Sequence, residues 1–262
     1  MLGPPRGNRT DEMADAFAMN SYLGKQILSL VRGGDYAHAG EEEAIELALA
    51  SLPKDASRRL LDAGCGRGGT AAYMQRHGWG RVTGVDIEPK SIDYARDAFP
   101  DGAFTCCDIH DVGAHVGDGF DAVVMFNVLY AIADQAGALR ALAGRAKSGA
   151  DLMVFDYVDL GGYAQAPVLD AGRPFLPHPL KIDRVEGLLR DGGWRLQSVA
   201  DISADYRRWY AALVGRIAAK RAAIEALAGA DAYEHVHGRY AALLAAIESG
   251  HLGGAVVRAT KA

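Results

Sequence analysis

The stretch Leu60-Leu61-Asp62-Ala63-Gly64-Cys65-Gly66-Arg67-Gly68-Gly69 constrains this chain more than any other. An apolar run stops at Ala63, glycine takes every second position through Gly68, and a helical pattern begins at Gly69. Glycine lets a backbone turn sharply and lets a ligand approach it closely. The start of the following helix adds unpaired N–H groups and a partial positive charge. Together they form a cradle for a polar or anionic group. Asp86 ends the next apolar run, 18 residues past Gly68, where a carboxylate can accept from both hydroxyls of a ribose. Two cofactor patterns fit the loop. Gly64, Gly66 and Gly69 satisfy G-x-G-x-x-G, the dinucleotide pattern. Gly64, Gly66 and Gly68 satisfy G-x-G-x-G, with Asp62 two residues ahead.

Around the loop, strand and helix patterns alternate. Strands are expected over 59–63, 82–86, 103–107, 120–126, 151–157 and 194–200, and helices over 69–77, 89–99, 135–146 and 182–190. Such alternation implies a parallel sheet covered on both faces. Ahead of the loop, Phe17, Tyr22, Leu23, Ile27, Leu30 and Val31 predict a helix over 15–31, ended by Gly33-Gly34. A second helix is expected over 40–52, with Glu41, Glu42 and Glu43 complementing its dipole. Two long helices are expected over 205–227 and 233–249, and a last strand over 255–260. The expected fold is α/β: a doubly wound, Rossmann-like, mostly parallel seven-stranded sheet with helical cap additions. It is read as a single domain over 1–262, with a helical cap segment at 13–53, a cofactor-binding core at 58–202, a helical insertion at 203–250 and the last strand at 254–260.

Composition narrows the partners. Half of the 262 residues are hydrophobic, which suffices for a full core, and the formal charge is −5 without a Lys/Arg-rich block. A basic footprint for nucleic acid is therefore absent. No apolar run approaches the roughly 18–20 residues of a membrane span. The N-terminus lacks the apolar region of a signal peptide, so a cytoplasmic location is expected. Cys65, Cys106 and Cys107 are odd in number and include an adjacent pair, which matches neither a disulfide framework nor a zinc site. No metal site is expected.

Asp62-Ala63-Gly64-Cys65-Gly66, the later Asp86, and Cys107-Asp108-Ile109 after the third strand together resemble class I S-adenosylmethionine-dependent methyltransferases. Asp62 and Asp108 separate that reading from the dinucleotide one, since a nicotinamide site asks for neither. The resemblance implies that Asp62 and the loop residues Gly64, Cys65, Gly66 and Gly68 contact the methionine portion of S-adenosylmethionine. It implies that Asp86 holds the ribose and that Ile87 packs on the adenine. Asp108 then bonds the adenine amino group, with Ile109 alongside, and Asn127 lines the methionine side. The helical segments at both ends are similar in layout to phosphoethanolamine methyltransferases. In that family an N-terminal Tyr, matched here by Tyr22, works with a His shortly after the fourth strand. Asn127-Val128-Leu129-Tyr130-Ala131-Ile132 contains no His, so the similarity extends to architecture and not to substrate.

A sulfonium methyl is already activated, so the expected reaction is a direct in-line displacement onto N, O or C of a small-molecule acceptor. The enzyme must supply position, exclusion of water and, for a protonated nucleophile, a base. Tyr22, His38 and His178 are the candidates for that role. Tyr36 and His38 lie on a segment able to fold over the cofactor, and His178 lies on the loop after the fifth strand. Tyr130, Asp156 and Tyr157 follow or end strands beside the expected acceptor site. Tyr206, Trp209, Tyr210, Tyr233 and Tyr240 suit either a substrate-lining cap or the core of a helical hairpin. The expected partner is a small acceptor, without nucleic acid or membrane; a homodimer stays open. Two other functions remain: an inactive cofactor-binding or regulatory protein, distinguished by binding without transfer, and a protein methyltransferase, distinguished by an open groove.

Overall fold

The computed structural model describes residues 21–170 and 172–262. Two helices come first, α1 (Tyr22–Arg32) and α2 (Glu41–Leu49). The predicted helix over 15–31 begins outside the described residues; within them its N-cap is Ser21, whose hydroxyl accepts from the Gly24 N–H at 3.1 Å. Gly33 ends α1 at φ 72°, a left-handed value glycine adopts freely.

Alternating strands and helices follow: β1 (Arg59–Ala63), α3 (Gly69–Arg76), β2 (Arg81–Asp86), α4 (Pro89–Ala98) and β3 (Ala103–Cys106). Then come α5 (Val112–His115), β4 (Phe120–Phe126), α6 (Gln135–Ala143) and β5 (Ala146–Asp159). A short hairpin of β6 (Leu169–Asp170) and β7 (Arg173–Pro174) precedes α7 (Ile182–Asp191) and β8 (Trp194–Asp201). Three helices, α8 (Ser203–Ala219), α9 (Arg221–Ala228) and α10 (Ala230–Glu248), lead to β9 (Leu252–Lys261).

Seven strands form one sheet in the order β3-β2-β1-β4-β5-β9-β8. The pairs from β3 to β5 are parallel, and β9 runs antiparallel between β5 and β8. Both faces are covered, as the unbroken apolar runs of the central strands require. Leu60, Val124, Phe126, Met153 and Phe155 point to one face, with α1, α2, α3 and the three late helices. Leu61, Val123, Met125, Leu152 and Val154 point to the other, against α6 and α7.

The structure departs from expectation at three places. The helix expected over 205–227 breaks at Lys220, which leaves helical geometry and sends its Nζ to the Leu30 carbonyl at 2.7 Å. The strand expected over 151–157 runs from Ala146 to Asp159, and that over 255–260 from Leu252 to Lys261. The glycines that hide the start of β9 from a propensity reading have tertiary causes. A Cβ at Gly253 would meet Ser203 Oγ at 2.1 Å, and one at Gly254 the Tyr206 ring at 2.4 Å. Among the described residues no helix is long and apolar enough to cross a membrane.

Candidate functional site

Strand order reverses between β1 and β4, and in open α/β sheets ligands sit beyond the carboxyl ends of the strands at such a point. A cavity of about 340 Å³ opens there. Gly64 and Gly66 line it after β1, Asp86 and Ile87 after β2, Asp108 and Ile109 after β3, and Asn127 after β4. The seven converge because each terminates or follows a strand of one parallel sheet.

The glycine loop takes a conformation that other residues resist. Gly64, Gly66 and Gly68 have φ of 85°, 55° and 86°. The N–H groups of Gly64 and Cys65 both donate to the Val85 carbonyl, at 2.7 and 2.9 Å, which ties the loop to β2. A Cβ at Gly64 would lie 2.3 Å from Val128 Cγ2. We expect Gly64→Ala to cost roughly 2–4 kcal/mol, from left-handed strain and overpacking together. A urea unfolding midpoint close to wild type would contradict this. Gly66 differs: a Cβ there would meet only Ala37 and Lys25, at 3.7 and 3.9 Å, so the room above it belongs to the cavity.

Behind the loop, Asp62 is 1% exposed, and its Oδ2 has no hydrogen-bond partner among the described residues. Burial, followed by the nearby charge of Asp86, raises its carboxyl to about 7. Asp86 is held by three donors. Its Oδ1 accepts from Lys25 Nζ at 2.7 Å and Glu88 N–H at 2.9 Å, and its Oδ2 from Gly66 N–H at 2.8 Å. Both side chains of the Lys25–Asp86 pair are more than nine-tenths buried. Asp108 accepts from both the backbone N–H and the ring of His110, each at 2.8 Å, which lowers its pKa. Ile87 is 58% exposed and lines the cavity. Asn127 has φ 54°, a value rare for a residue with a Cβ and often found at functional sites. Its Nδ2 donates to Tyr206 OH at 3.1 Å.

Five other predicted residues do not line this cavity. Cys65 is a packing residue: it fills the space a Cβ at Gly84 would claim, and burial pushes its thiol up. Gly68 admits Phe104 and Ala95 at 3.0 Å, fitting helix to sheet. Asp62 lies behind the loop. The Tyr22 ring lies 5.4 Å from the Arg67 guanidinium, and Tyr36 donates to Glu42 Oε1 at 3.0 Å.

The structure does not bring the three candidate bases together. His38 is buried, with Nε2 3.0 Å from Thr70 Oγ1 and Nδ1 3.2 Å from the Ala39 carbonyl. Packed against Phe126 and Phe155, it is pushed down to about 3 by burial and the Arg32 charge, and it stays neutral without facing the cavity. His178 faces a separate 720 Å³ cavity beside α7, its backbone fastened to Tyr130 and Gln135. Burial within the core is the physical reason His38 is unsuited as a base, and direction is the reason for His178.

Lys25 was not anticipated, although a signal for it exists. Lys25 and Arg32 stand seven residues apart on the same helix face as Leu28, so charges interrupt the apolar stripe of α1. No cluster of three or more metal-ligating side chains occurs among the described residues.

The family model described as a methyltransferase domain matches residues 61–154, which span β1 to β5. An O-methyltransferase, cnsE, of Penicillium expansum is 28% identical over 196 residues, covering 66% of this chain and 70% of its own. The cyclase SpnF has the same fold, with a TM-score of 0.74, 22% identity and 96% of each chain covered. Phosphoethanolamine N-methyltransferase 2 of Haemonchus contortus, solved with phosphomonomethylethanolamine and S-adenosylhomocysteine, superposes with a TM-score of 0.77 at 17% identity. That match covers 91% of this chain and 57% of the other.

Proposed function

We propose that this chain, a class I S-adenosylmethionine-dependent methyltransferase, passes a methyl group to N, O or C of a small-molecule acceptor, and that its described residues act as one domain with a helical cap. The observation that carries the reading is the unpartnered Asp62 Oδ2 beneath a glycine loop whose Gly66 opens onto the cavity. A buried acceptor without a donor is costly, and an amino-acid ammonium bound on the loop that covers Asp62 would supply a positive charge to offset it. Asp86 would hold the ribose hydroxyls, Ile87 and Ile109 would sandwich the adenine, and Asp108 would accept from its amino group. Gly64, Gly66 and Asn127 would border the methionine portion.

When bound, S-adenosylmethionine supplies a methyl on a sulfonium centre, open to in-line displacement. What the chain supplies is placement and dryness. Asn127 and Tyr130 stand between the cavity and a buried set of tyrosines, so an acceptor would approach through low-dielectric surroundings. Neither His38 nor His178 is placed to take a proton in that space. Those two side chains therefore favour an acceptor atom that carries no proton to be removed in the site.

Asp62 makes the proposal testable through protons. Its folded pKa is raised, so in the free protein it contributes stability below the unfolded value, ~3.9, and loses that contribution as pH rises through about 7. Pairing with an ammonium would favour the carboxylate, so binding below pH 7 releases a proton. Affinity for S-adenosylhomocysteine should rise with pH up to about 7 and then level off. Calorimetry at pH 6 in two buffers of different ionisation enthalpy reads the released proton. Proton uptake, or no binding at all, would sink the assignment.

A further inference from the structure

One charge in the interior serves nothing in the cofactor site. Arg32 ends α1, and its side chain is 0% exposed. None of its three guanidinium nitrogens has a hydrogen-bond partner within 3.5 Å among the described residues, the Tyr240 hydroxyl lying just beyond. Its nearest counter-charge is Glu41 Oε1 at 3.6 Å, beyond hydrogen-bonding reach. That same oxygen accepts from Arg216 at 2.8 Å. Two guanidinium groups thus share one carboxylate, and Arg32 is the one left over.

What else surrounds Arg32 is neutral: the buried imidazole of His38 and a set of tyrosines. The Arg32 charge acts on the phenols of Tyr206, Tyr210 and Tyr240, opposing the rise that burial gives them. The Tyr240 hydroxyl, also buried, faces the Arg32 guanidinium from beyond 3.5 Å and has no partner closer than that among the described residues. Asp156, the other charge felt by Tyr206 and Tyr210, is engaged by four backbone N–H groups and forms no ion pair with Arg32. Unmet donors on a buried cation are costly to fold. A bound anion would satisfy the guanidinium and the phenol at once, with charge-assisted hydrogen bonds.

The cluster adjoins the proposed methyl-transfer site. Asn127, on the cavity wall, donates to Tyr206. At about 340 Å³ the cavity is near the lower end for a single ligand, ~300–1,000 Å³. An acceptor beside the cofactor needs that wall to yield, and the unmet polar groups lie behind it. We propose that the acceptor carries an anionic group, a carboxylate or a phosphate, which Arg32 and Tyr240 bind within the tyrosine cluster behind Asn127. This rests on the methyltransferase reading and adds the chemical class of the acceptor.

The test is calorimetry on protein saturated with S-adenosylhomocysteine, using succinate, benzoate and phenyl phosphate as probes and benzamide as the uncharged control. At least one anion should bind saturably and benzamide should not; the anion that binds distinguishes carboxylate from phosphate. Arg32→Met should weaken that anion about ten-fold or more, while leaving S-adenosylhomocysteine affinity unchanged. Tyr240→Phe, which keeps the ring, should weaken it several-fold and serves if Arg32→Met does not fold. A purely structural Arg32 would shift melting temperature without discriminating anion from amide. The proposal is overturned if no anion binds the loaded wild type, or if anions bind wild type and both variants equally. Failure of wild type to bind S-adenosylhomocysteine would instead remove the methyltransferase reading beneath it.

Discussion

Asp86→Ala is expected to weaken S-adenosylhomocysteine binding by at least ~100-fold, from the loss of two charge-assisted ribose hydrogen bonds at about 1.5–3 kcal/mol each. A second loss accompanies it. Lys25 is buried against Asp86 at 2.7 Å, and the variant leaves its ammonium without that partner. Removing one member of a buried ion pair costs roughly 3–5 kcal/mol of stability. Weak binding by an unstable protein would be ambiguous, so the double variant Lys25→Met/Asp86→Ala is the control. It should recover much of the stability, because no buried charge is left unpaired, but none of the binding. Titration calorimetry and thermal melting read the two effects separately. Near-normal affinity in Asp86→Ala would show that the ribose is held elsewhere. Lys25 carries a consequence of its own. A carboxylate offers about four acceptor positions, and three are filled by Lys25, Gly66 and Glu88. Two ribose hydroxyls need two, so one of the three donors must yield, and Lys25 is the only one carried on a side chain.

The residues legible in the sequence are those whose role is local to the backbone. Gly64, Gly66, Asp86, Asp108 and Asn127 lie at or just past strand ends, and a parallel sheet carries all strand ends to one rim. Knowing where the strands stop is therefore enough to predict that these residues meet. The helical cap and the seven strands were legible for the same reason, through periodicity. Residues whose role depends on tertiary direction were not. His38 and His178 suit a base by chemistry alone. One faces Phe126 and Phe155, and the other faces a cavity away from the glycine loop. Lys25 and Arg32 left a trace, two charges on the apolar face of α1, but spacing cannot say what a buried charge meets. Gly253 and Gly254 mislead a strand reading because the partners that require glycine, Ser203 and Tyr206, lie about fifty residues earlier.

The largest expected effect on stability belongs to Asp156. Its side chain is fully buried on β5 and holds the turn that follows β4. Oδ2 accepts from the N–H groups of Val128, Leu129 and Tyr130, at 3.2, 2.7 and 3.2 Å, and Oδ1 from its neighbour Tyr157 at 2.7 Å. Asp156→Ala leaves several buried donors unmet, each at about 1–3 kcal/mol, so a loss of roughly 4 kcal/mol or more is expected. Asp156→Asn should lose less, because one oxygen can still serve the turn while its amide opposes the Tyr157 N–H. Burial raises the Asp156 carboxyl to about 7 despite these four hydrogen bonds. Its contribution is therefore full below the unfolded value, ~3.9, and is lost as pH rises through about 7. Wild type should lose stability across that window, and Asp156→Asn should lose less, keeping only the share of Asp62, which has the same sign. Urea unfolding at pH 5 and pH 8 tests both statements; Asp156→Ala within about 1 kcal/mol of wild type would refute the anchoring role. The turn also carries Asn127 and Tyr130 to the cavity wall. Whatever loosens Asp156 therefore disturbs the boundary between the proposed cofactor and acceptor sites, and S-adenosylhomocysteine affinity should fall along with stability.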